Sequence, residues 1–162
     1  MPVQTISQFN FPTTIRFGAG SSQELGSYLV SNNLSRPLIS TDPTVAQLGF
    51  FRQIVEDLKK KNISVEIFHD IHKNPVKSDV YKGADAFDNT KRDCIVGIGG
   101  GAAIDVARAI VLRVHHREDL FKYDDLIGGD VYVTQDVPHF TFIRPAKSGK
   151  LVAMKLPSSM LV

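Results

Sequence analysis

Apolar residues recur along this chain in two alternating patterns. Segments with an apolar residue every three or four positions predict amphipathic helices, and the short apolar runs between them predict strands. The predicted helices cover residues 23–32, 51–61, 78–90 and 102–114, and the predicted strands cover residues 11–18, 36–41, 64–68, 94–98 and 139–143. Strands that alternate with helices in this rhythm indicate an α/β fold, with an open, mostly parallel sheet covered by helices on both faces.

The run at residues 94–98 shows no alternation of apolar and polar positions, which predicts a strand buried on both faces. Three glycines follow it, Gly99, Gly100 and Gly101, which we call the glycine turn. Glycines let the backbone turn sharply and let a ligand approach its amides, and the first N–H groups of the next helix favour a phosphate. The segment therefore predicts an anion site, although close packing is the alternative explanation and the spacing departs from the usual G-x-G-x-x-G fingerprint.

Other polar residues follow neighbouring strands. Asp42 precedes Pro43, which is typical of a helix N-cap with proline at the first helical position. The loop at residues 69–74 follows the next strand. Because ligands of such sheets gather at the carboxyl ends of the strands, we expect Asp42, this loop and the glycine turn along one edge. Asp105 is predicted in the first turn of the helix after the glycines, where a carboxylate also favours the helix dipole.

Composition narrows the classes of function. A chain of 162 residues, 43% hydrophobic and 22% charged, is sufficient for one soluble domain. The net charge of +2 is small and its basic residues are scattered, so we expect no nucleic-acid partner. No apolar run approaches a membrane span and no signal peptide is recognisable, which predicts a cytoplasmic protein. Cys94 is the only cysteine and is predicted to be an inert core thiol.

Catalytic and metal-binding arrangements are not evident. The pairs His69 with His72, and His115 with His116, lack an Asp or Glu at ligand spacing, so no metal site is predicted. Ser148-Gly149-Lys150 lacks the first glycine of a phosphate loop. No Ser-His-Asp or Cys-His arrangement stands out, so no catalytic residue is assigned.

Several motifs together resemble one family. They are Phe17-Gly18-Ala19-Gly20, the strand that leads to Asp42, Asn74-Pro75, and the segment from Gly97 to Ala109, which is similar to GIGGGSxxDxAKA. The chain resembles the N-terminal domain of the iron-dependent (group III) alcohol dehydrogenases, which are related to glycerol dehydrogenase and dehydroquinate synthase. The resemblance implies a Rossmann-like domain that binds NAD(H).

The resemblance also implies roles for particular residues. Gly99, Gly100, Gly101 and Asp105 match positions that contact the cofactor in such enzymes. Asp42 matches an acid that meets the adenosine ribose and favours NAD over NADP, with the helix cap as an equally strong alternative. Asn74 matches a residue near the cofactor. Ala102 stands where the family usually has serine, so a hydroxyl to the phosphate is missing.

The chain departs from the family after residue 143. We expect a dinucleotide-binding α/β domain at residues 1–143 and a tail unlike the family at 144–162, from truncation or a frame shift. From the resemblance we also expect the family's all-helical domain, with its ligands for iron or zinc, to be missing from these 162 residues. The predicted function is the nucleotide-binding portion of an NAD-dependent, metal-containing alcohol dehydrogenase, inactive alone. The alternatives are a non-catalytic NAD- or phosphate-binding module and a relic domain that forms a homo-oligomer.

Overall fold

The structure is a computed structural model that describes residues 15–17, 21–134, 139–143 and 153–155. Its helices are α1 (Leu25–Ser31), α2 (Pro43–Ala46), α3 (Gly49–Lys60), α4 (Lys77–Asn89) and α5 (Gly101–His115). Its strands are β1 (Ile15–Phe17), β2 (Pro37–Thr41), β3 (Glu66–Phe68), β4 (Cys94–Gly99), β5 (His139–Ile143) and β6 (Ala153–Lys155). Short 3₁₀ turns occupy Ser21–Glu24, Leu120–Tyr123, Asp125–Ile127 and Gly129–Tyr132.

The described strands form one sheet in the order β1-β6-β5-β4-β2-β3. Strands β5, β4, β2 and β3 are parallel, and β6 is antiparallel to both of its neighbours. The expected α/β fold with a mostly parallel sheet is therefore confirmed. Strand β6 lies in the segment 144–162, where the pattern predicted no element. Of the first predicted strand, residues 15–17 are observed and the remainder lies outside the described residues.

Strand β4 is buried on both faces, as its uninterrupted apolar sequence predicts. On one face Val96 and Ile98 pack with α1 and α3 residues such as Leu29 and Leu58. On the other face Ile95 packs with residues of α4 and α5. The seven buried residues of α5 are Ala103, Ile104, Val106, Ala107, Ile110, Val111 and Val114. This double-sided burial fixes the end of β4, and therefore the glycine turn, in a rigid setting.

Helices α1, α3 and α4 end in the same way. Each is followed by a residue with positive φ, namely Asn33 at 58°, Asn62 at 59° and Lys91 at 53°. After α4, the Lys91 amide donates to Asp88 O and the next amide donates to Phe87 O, both at 3.0 Å. This is the Schellman arrangement, which satisfies the last carbonyls of the helix and turns the chain towards the next strand.

The segment between α5 and β5 is held at both ends. His116 is buried; its Nδ1 lies 2.8 Å from Leu112 O and its Nε2 accepts from the Thr134 amide at 3.0 Å. Arg117 pairs with Asp88 of α4 at 2.6 Å. Several large apolar residues of this segment nevertheless face solvent, and they are Phe121, Leu126, Ile127, Val131, Tyr132 and Val133.

Candidate functional site

Gly99 ends β4 in a conformation that only glycine adopts readily. Its φ is +151°, and a Cβ placed there would lie 2.9 Å from Ala103 Cβ and 3.2 Å from Asp42 Oδ2. Both the backbone angle and the close neighbours therefore exclude a side chain. Packing and backbone geometry are sufficient to explain this glycine.

Gly100 and Gly101 are different. Both are exposed, and a Cβ on either would meet no atom within 4 Å. Gly100 has φ −86° and ψ −170°, an extended conformation open to any residue. Neither strain nor packing within the described residues explains these two glycines. Their lack of side chains leaves open space directly over the backbone, which suits a ligand that approaches the amides closely.

Helix α5 presents its first amides to that open space. The helix begins at Gly101, and Gly100 at the N-cap position offers no side-chain cap. The first hydrogen bond of the helix runs from the Ile104 amide to Gly100 O at 3.2 Å. The amides of Gly101, Ala102 and Ala103 therefore have no carbonyl partner within the helix. Fifteen aligned peptide units add a positive dipole end, so the position favours negatively charged oxygens.

Asp42 lies beside the glycine turn because β2 and β4 are neighbours, with Thr41 opposite Ile98 in the register. Asp42 Oδ1 accepts from the amides of Thr44 at 3.0 Å and Val45 at 2.9 Å. The predicted N-cap, with Pro43 at the first helical position, is confirmed, although the helix it begins is only four residues long. Asp42 Oδ2 lies on the side of Gly99. Oδ1 therefore forms the cap, and Oδ2 is the oxygen on the side of the glycine turn.

The strand ends are tied together at this point. Thr41 Oγ1, which is buried, donates to Ile98 O at 2.7 Å, one residue before Asp42 and Gly99 respectively. This bond links the last residue of β2 to the residue before the end of β4, in addition to the ladder between the strands. The distance between Asp42 and the glycine turn is therefore fixed by the sheet, not by a flexible loop.

The loop after β3 is the third part of this edge. A buried carboxylate, Asp79 of α4, accepts from the amides of His72 and Val76, both at 3.1 Å, and its Oδ1 lies 2.7 Å from His72 Nδ1. Asn74 is exposed between these two anchor points. Burial raises the pKa of Asp79, but its hydrogen bonds with His72 and Val76 outweigh that effect and hold it below the ordinary value. Asp42, this loop and the glycine turn all follow carboxyl ends of parallel strands, as predicted.

Asp105 does not lie in the first turn of α5, and that prediction was wrong. The helix begins one residue earlier than the apolar pattern indicated, so Asp105 is its fifth residue. Its side chain is 71% exposed, with Oδ1 3.9 Å from an Arg108 guanidinium nitrogen. It lies one turn beyond Gly101 on the same side of the helix. Its predicted role at the cofactor stays a prediction.

Sequence reasoning missed Asp79 and His72 as a structural pair. The signal was present, because Asp79 lies three residues after Val76, the position from which an acidic side chain reaches back to the N-cap amide. Among the described residues, no three His, Cys, Asp or Glu side chains are grouped closely enough to hold a metal ion. Cys94 is fully buried, and burial raises the pKa of its thiol, as expected for an inert core cysteine. No helix in the described ranges is both long and apolar enough to span a membrane.

Comparison with known proteins identifies the family. The family model for iron-containing alcohol dehydrogenases matches residues 12–143, most of the chain. The chain belongs to the iron-containing alcohol dehydrogenase family. The resemblance that its motifs indicated is thereby confirmed.

Individual members of the iron-containing alcohol dehydrogenase family share less than a third of the aligned residues with this chain. Choline dehydrogenase of Bacillus subtilis is 28% identical over 126 residues, which is 78% of this chain and 31% of that protein. Alcohol dehydrogenase 4 of Saccharomyces cerevisiae is 27% identical over 122 residues, which is 75% of this chain and 32% of that protein. The chain therefore spans about a third of the length of these curated relatives.

Solved structures show the same fold. A 1,3-propanediol oxidoreductase superimposes with a TM-score of 0.63 at 27% identity, covering 66% of this chain and 28% of that one. Sulfoacetaldehyde reductase from Bifidobacterium kashiwanohense, solved in complex with NAD+, superimposes with a TM-score of 0.71 at 19% identity. That superposition covers 95% of this chain and 44% of the reductase.

Proposed function

We propose that this chain binds NAD(H) along the edge formed by the glycine turn, Asp42 and the loop after β3, as the cofactor-binding portion of an iron-type alcohol dehydrogenase. The observation that supports this most directly is the open backbone of Gly100 and Gly101 before the uncapped start of α5. The pyrophosphate is assigned to those amides. Asp42 Oδ2 is assigned to the hydroxyls of the adenosine ribose, and its charge would repel the 2′-phosphate of NADP. NAD itself supplies the carbon that accepts a hydride when it is bound.

We further propose that the chain by itself does not oxidise an alcohol. Hydride transfer requires an alcohol held against the nicotinamide and an oxygen polarised, in this family by a metal ion. The described residues contain no grouping suited to iron or zinc, so no ligand of the metal is assigned to them. The proposal for this chain is therefore cofactor binding without turnover, and the alcohol is left to be specified by other parts of such an enzyme.

A calorimetric titration of NAD into the protein and into two glycine variants tests this proposal. Gly100→Val places a branched side chain over the amides without straining the backbone, because φ is −86° and the Cβ position is open. Gly49→Val is the matched control, because a Cβ on Gly49 also meets nothing within 4 Å but lies at the start of α3. We expect Gly100→Val to weaken NAD binding at least about tenfold and Gly49→Val to leave it unchanged.

Two results would contradict the proposal. NAD that fails to bind the wild-type protein at millimolar concentration would show that the edge does not form a cofactor site in this chain. Equal affinity of wild type and Gly100→Val would show that NAD binds elsewhere. Thermal melting of each variant without ligand separates loss of the site from loss of the fold.

One observation favours a second role, self-association. The segment after α5 is anchored by His116 and Arg117 yet exposes Leu126 at 89% and Ile127 at 74%. Because this apolar surface lies on an anchored segment, a second copy of the chain is the partner that we propose for it. Sedimentation velocity of wild type and Leu126→Asp tests this: we expect a dimer that the variant converts to monomer, and a wild-type monomer at about 100 μM would refute it.

A further inference from the structure

The buried carboxylate of Asp79 caps the start of α4 and also holds the loop that precedes this helix. We propose that Asp79 is a positioning residue: it sets the shape of the loop at residues 72–76 so that Asn74 meets the adenosine half of a bound dinucleotide. This inference rests on the proposed function. It concerns a residue that lies behind the loop and does not itself reach the ligand.

The contacts of Asp79 span the loop from one side to the other. One oxygen, Oδ2, accepts from the amides of His72 and Val76, which flank Asn74. The other oxygen, Oδ1, faces the His72 ring at 2.7 Å. The side chain of Asp79 is 0% exposed, so these bonds replace all of its contacts with water. A single buried group therefore determines both ends of the segment that presents Asn74.

The first part of the loop has an independent anchor. Ile71 is buried in the apolar core formed with α4 and α5, where Val80 also lies. Asp70 pairs with Lys82 at 2.7 Å, but both side chains are more than half exposed, and such pairs contribute little. Loss of the Asp79 bonds would therefore release residues 72–76 while the preceding residues and α4 stay in place.

The chemistry of the side chain explains why an aspartate is needed here. An ionised carboxylate accepts hydrogen bonds at both oxygens and donates none, so it satisfies two amides and an imidazole at once. Asparagine has the same size but only one acceptor oxygen. With asparagine at position 79, the carbonyl oxygen can still accept from both loop amides only if the NH₂ group faces His72, whose Nδ1 must then accept instead of donate. The bonds that remain are between neutral groups and are weaker than those of a carboxylate, so Asn in place of Asp79 loosens the hold on the loop without changing the volume of the core.

The position of the loop along the sheet indicates which part of the ligand it meets. Strand β2 lies between β4 and β3, and neighbouring strands are about 4.8 Å apart, so the ends of β3 and β4 are separated by about 10 Å. The pyrophosphate is assigned to the glycine turn after β4, and the ribose to Asp42 after β2. A nucleotide that continues in this direction places its adenosine, and not its phosphates, beside the loop after β3.

Two probes separate these parts of the ligand, namely AMP and inorganic pyrophosphate. We expect Asp79→Asn to weaken AMP binding roughly tenfold, the low end of the loss measured when groups that orient metal ligands are removed, and to leave pyrophosphate binding unchanged. Asp70→Asn is the control, because it removes the exposed pair between the same loop and the same helix. It should leave both affinities as in wild type. His72→Ala, which keeps both amide bonds to Asp79, should weaken AMP less than Asp79→Asn does and serves as the second variant should Asp79→Asn fail to fold.

The outcomes distinguish this inference from the function on which it rests. If wild type binds neither probe, the proposed cofactor site is refuted and the role of Asp79 with it. If wild type binds both probes and the variants lose affinity for AMP and pyrophosphate equally, or for neither, the cofactor site stands and the positioning role is overturned. Selective loss of AMP binding in Asp79→Asn, with both affinities of Asp70→Asn as in wild type, supports the inference.

Discussion

Asp42 offers the sharpest test of how this edge works, because only one of its two oxygens is used by the helix cap. Oδ1 accepts from Thr44 and Val45 and begins α2, whereas Oδ2 lies beside Gly99. Asparagine keeps one carbonyl oxygen, which can take the place of Oδ1, and puts an NH₂ group where Oδ2 stands. Alanine removes both. The pair Asp42→Asn and Asp42→Ala therefore separates the cap from the predicted contact with the cofactor.

The expected magnitudes follow from these contacts. Asparagine is as good an N-cap as aspartate, so Asp42→Asn should change the free energy of unfolding by no more than about 0.5 kcal/mol, whereas Asp42→Ala should cost about 1 kcal/mol. Loss of a charged acceptor for ribose hydroxyls should cost about 1.5–3 kcal/mol of NAD binding, which is roughly tenfold or more in affinity. Both variants should show this weaker binding of NAD, and both should lose the discrimination against NADP, because the repelling charge is gone.

Urea unfolding and calorimetric titration with NAD and NADP measure the two effects on the same samples. The expected result is that stability separates the variants and cofactor preference does not. If Asp42→Asn retained the wild-type ratio of NAD to NADP affinity, the assignment of Oδ2 to the ribose would be wrong. If Asp42→Asn were as unstable as Asp42→Ala, the charge near the helix start, and not the cap geometry, would be the stabilising factor.

Three further predictions concern stability. Lys91→Gly should stabilise the protein by about 0.5–1 kcal/mol in urea unfolding, because Lys91 holds φ at 53° at the end of α4; no gain would mean that its side chain compensates for that strain. Gly99→Ala should lower the free energy of unfolding by about 1–3 kcal/mol, because Gly99 has a φ of +151° and Ala103 lies close to its Cβ position. Gly101→Ala has open space at its Cβ position and should change that free energy by no more than about 0.5 kcal/mol; similar losses in both variants would contradict the distinction drawn between these glycines. The pKa of Asp79 is lower in the folded protein than its ordinary value of 3.8, so the stabilising effect of its carboxylate is complete above about pH 5 and is lost as the pH falls. The difference in unfolding free energy between wild type and Asp79→Asn should therefore shrink between about pH 5 and pH 3, and a constant difference would refute the low pKa.

Local sequence patterns predicted the parts of the fold that depend on local physics. The apolar run of β4 and the periodic apolar face of α5 predicted which of their residues are buried. The predicted bounds of α5 were within one residue of the observed ones at each end. The Asp42-Pro43 pair predicted a helix start because capping involves only the next three residues. Even here the pattern did not show that α2 stops after four residues, although it predicted a separate helix at residues 51–61, which is α3 at Gly49–Lys60.

Features that depend on distant partners were not predictable. The segment 153–155 is short and has no distinctive pattern of apolar and polar residues. It forms a strand because β5 and β1 pair with it on either side. In the sequence, Asp79 is indistinguishable from any acidic residue in the first turn of a helix. Only the path of the preceding loop brings His72 into contact with it. The error for Asp105 has the opposite origin: one residue at the start of α5 moved it from the first turn to the second.

The glycine turn shows why a motif and its structural explanation must be separated. Gly99, Gly100 and Gly101 are equivalent in the sequence, and packing or ligand approach could account for all three. The structure divides them, because Gly99 is required by its backbone angle and by Ala103, whereas a side chain on Gly100 or Gly101 would meet only open space. Packing and backbone geometry therefore explain Gly99, and ligand approach stays the prediction for Gly100 and Gly101. A side chain on Gly99 would also crowd Asp42 Oδ2, so the absence of a Cβ there leaves room for the acid beside the amides that the other two glycines leave accessible.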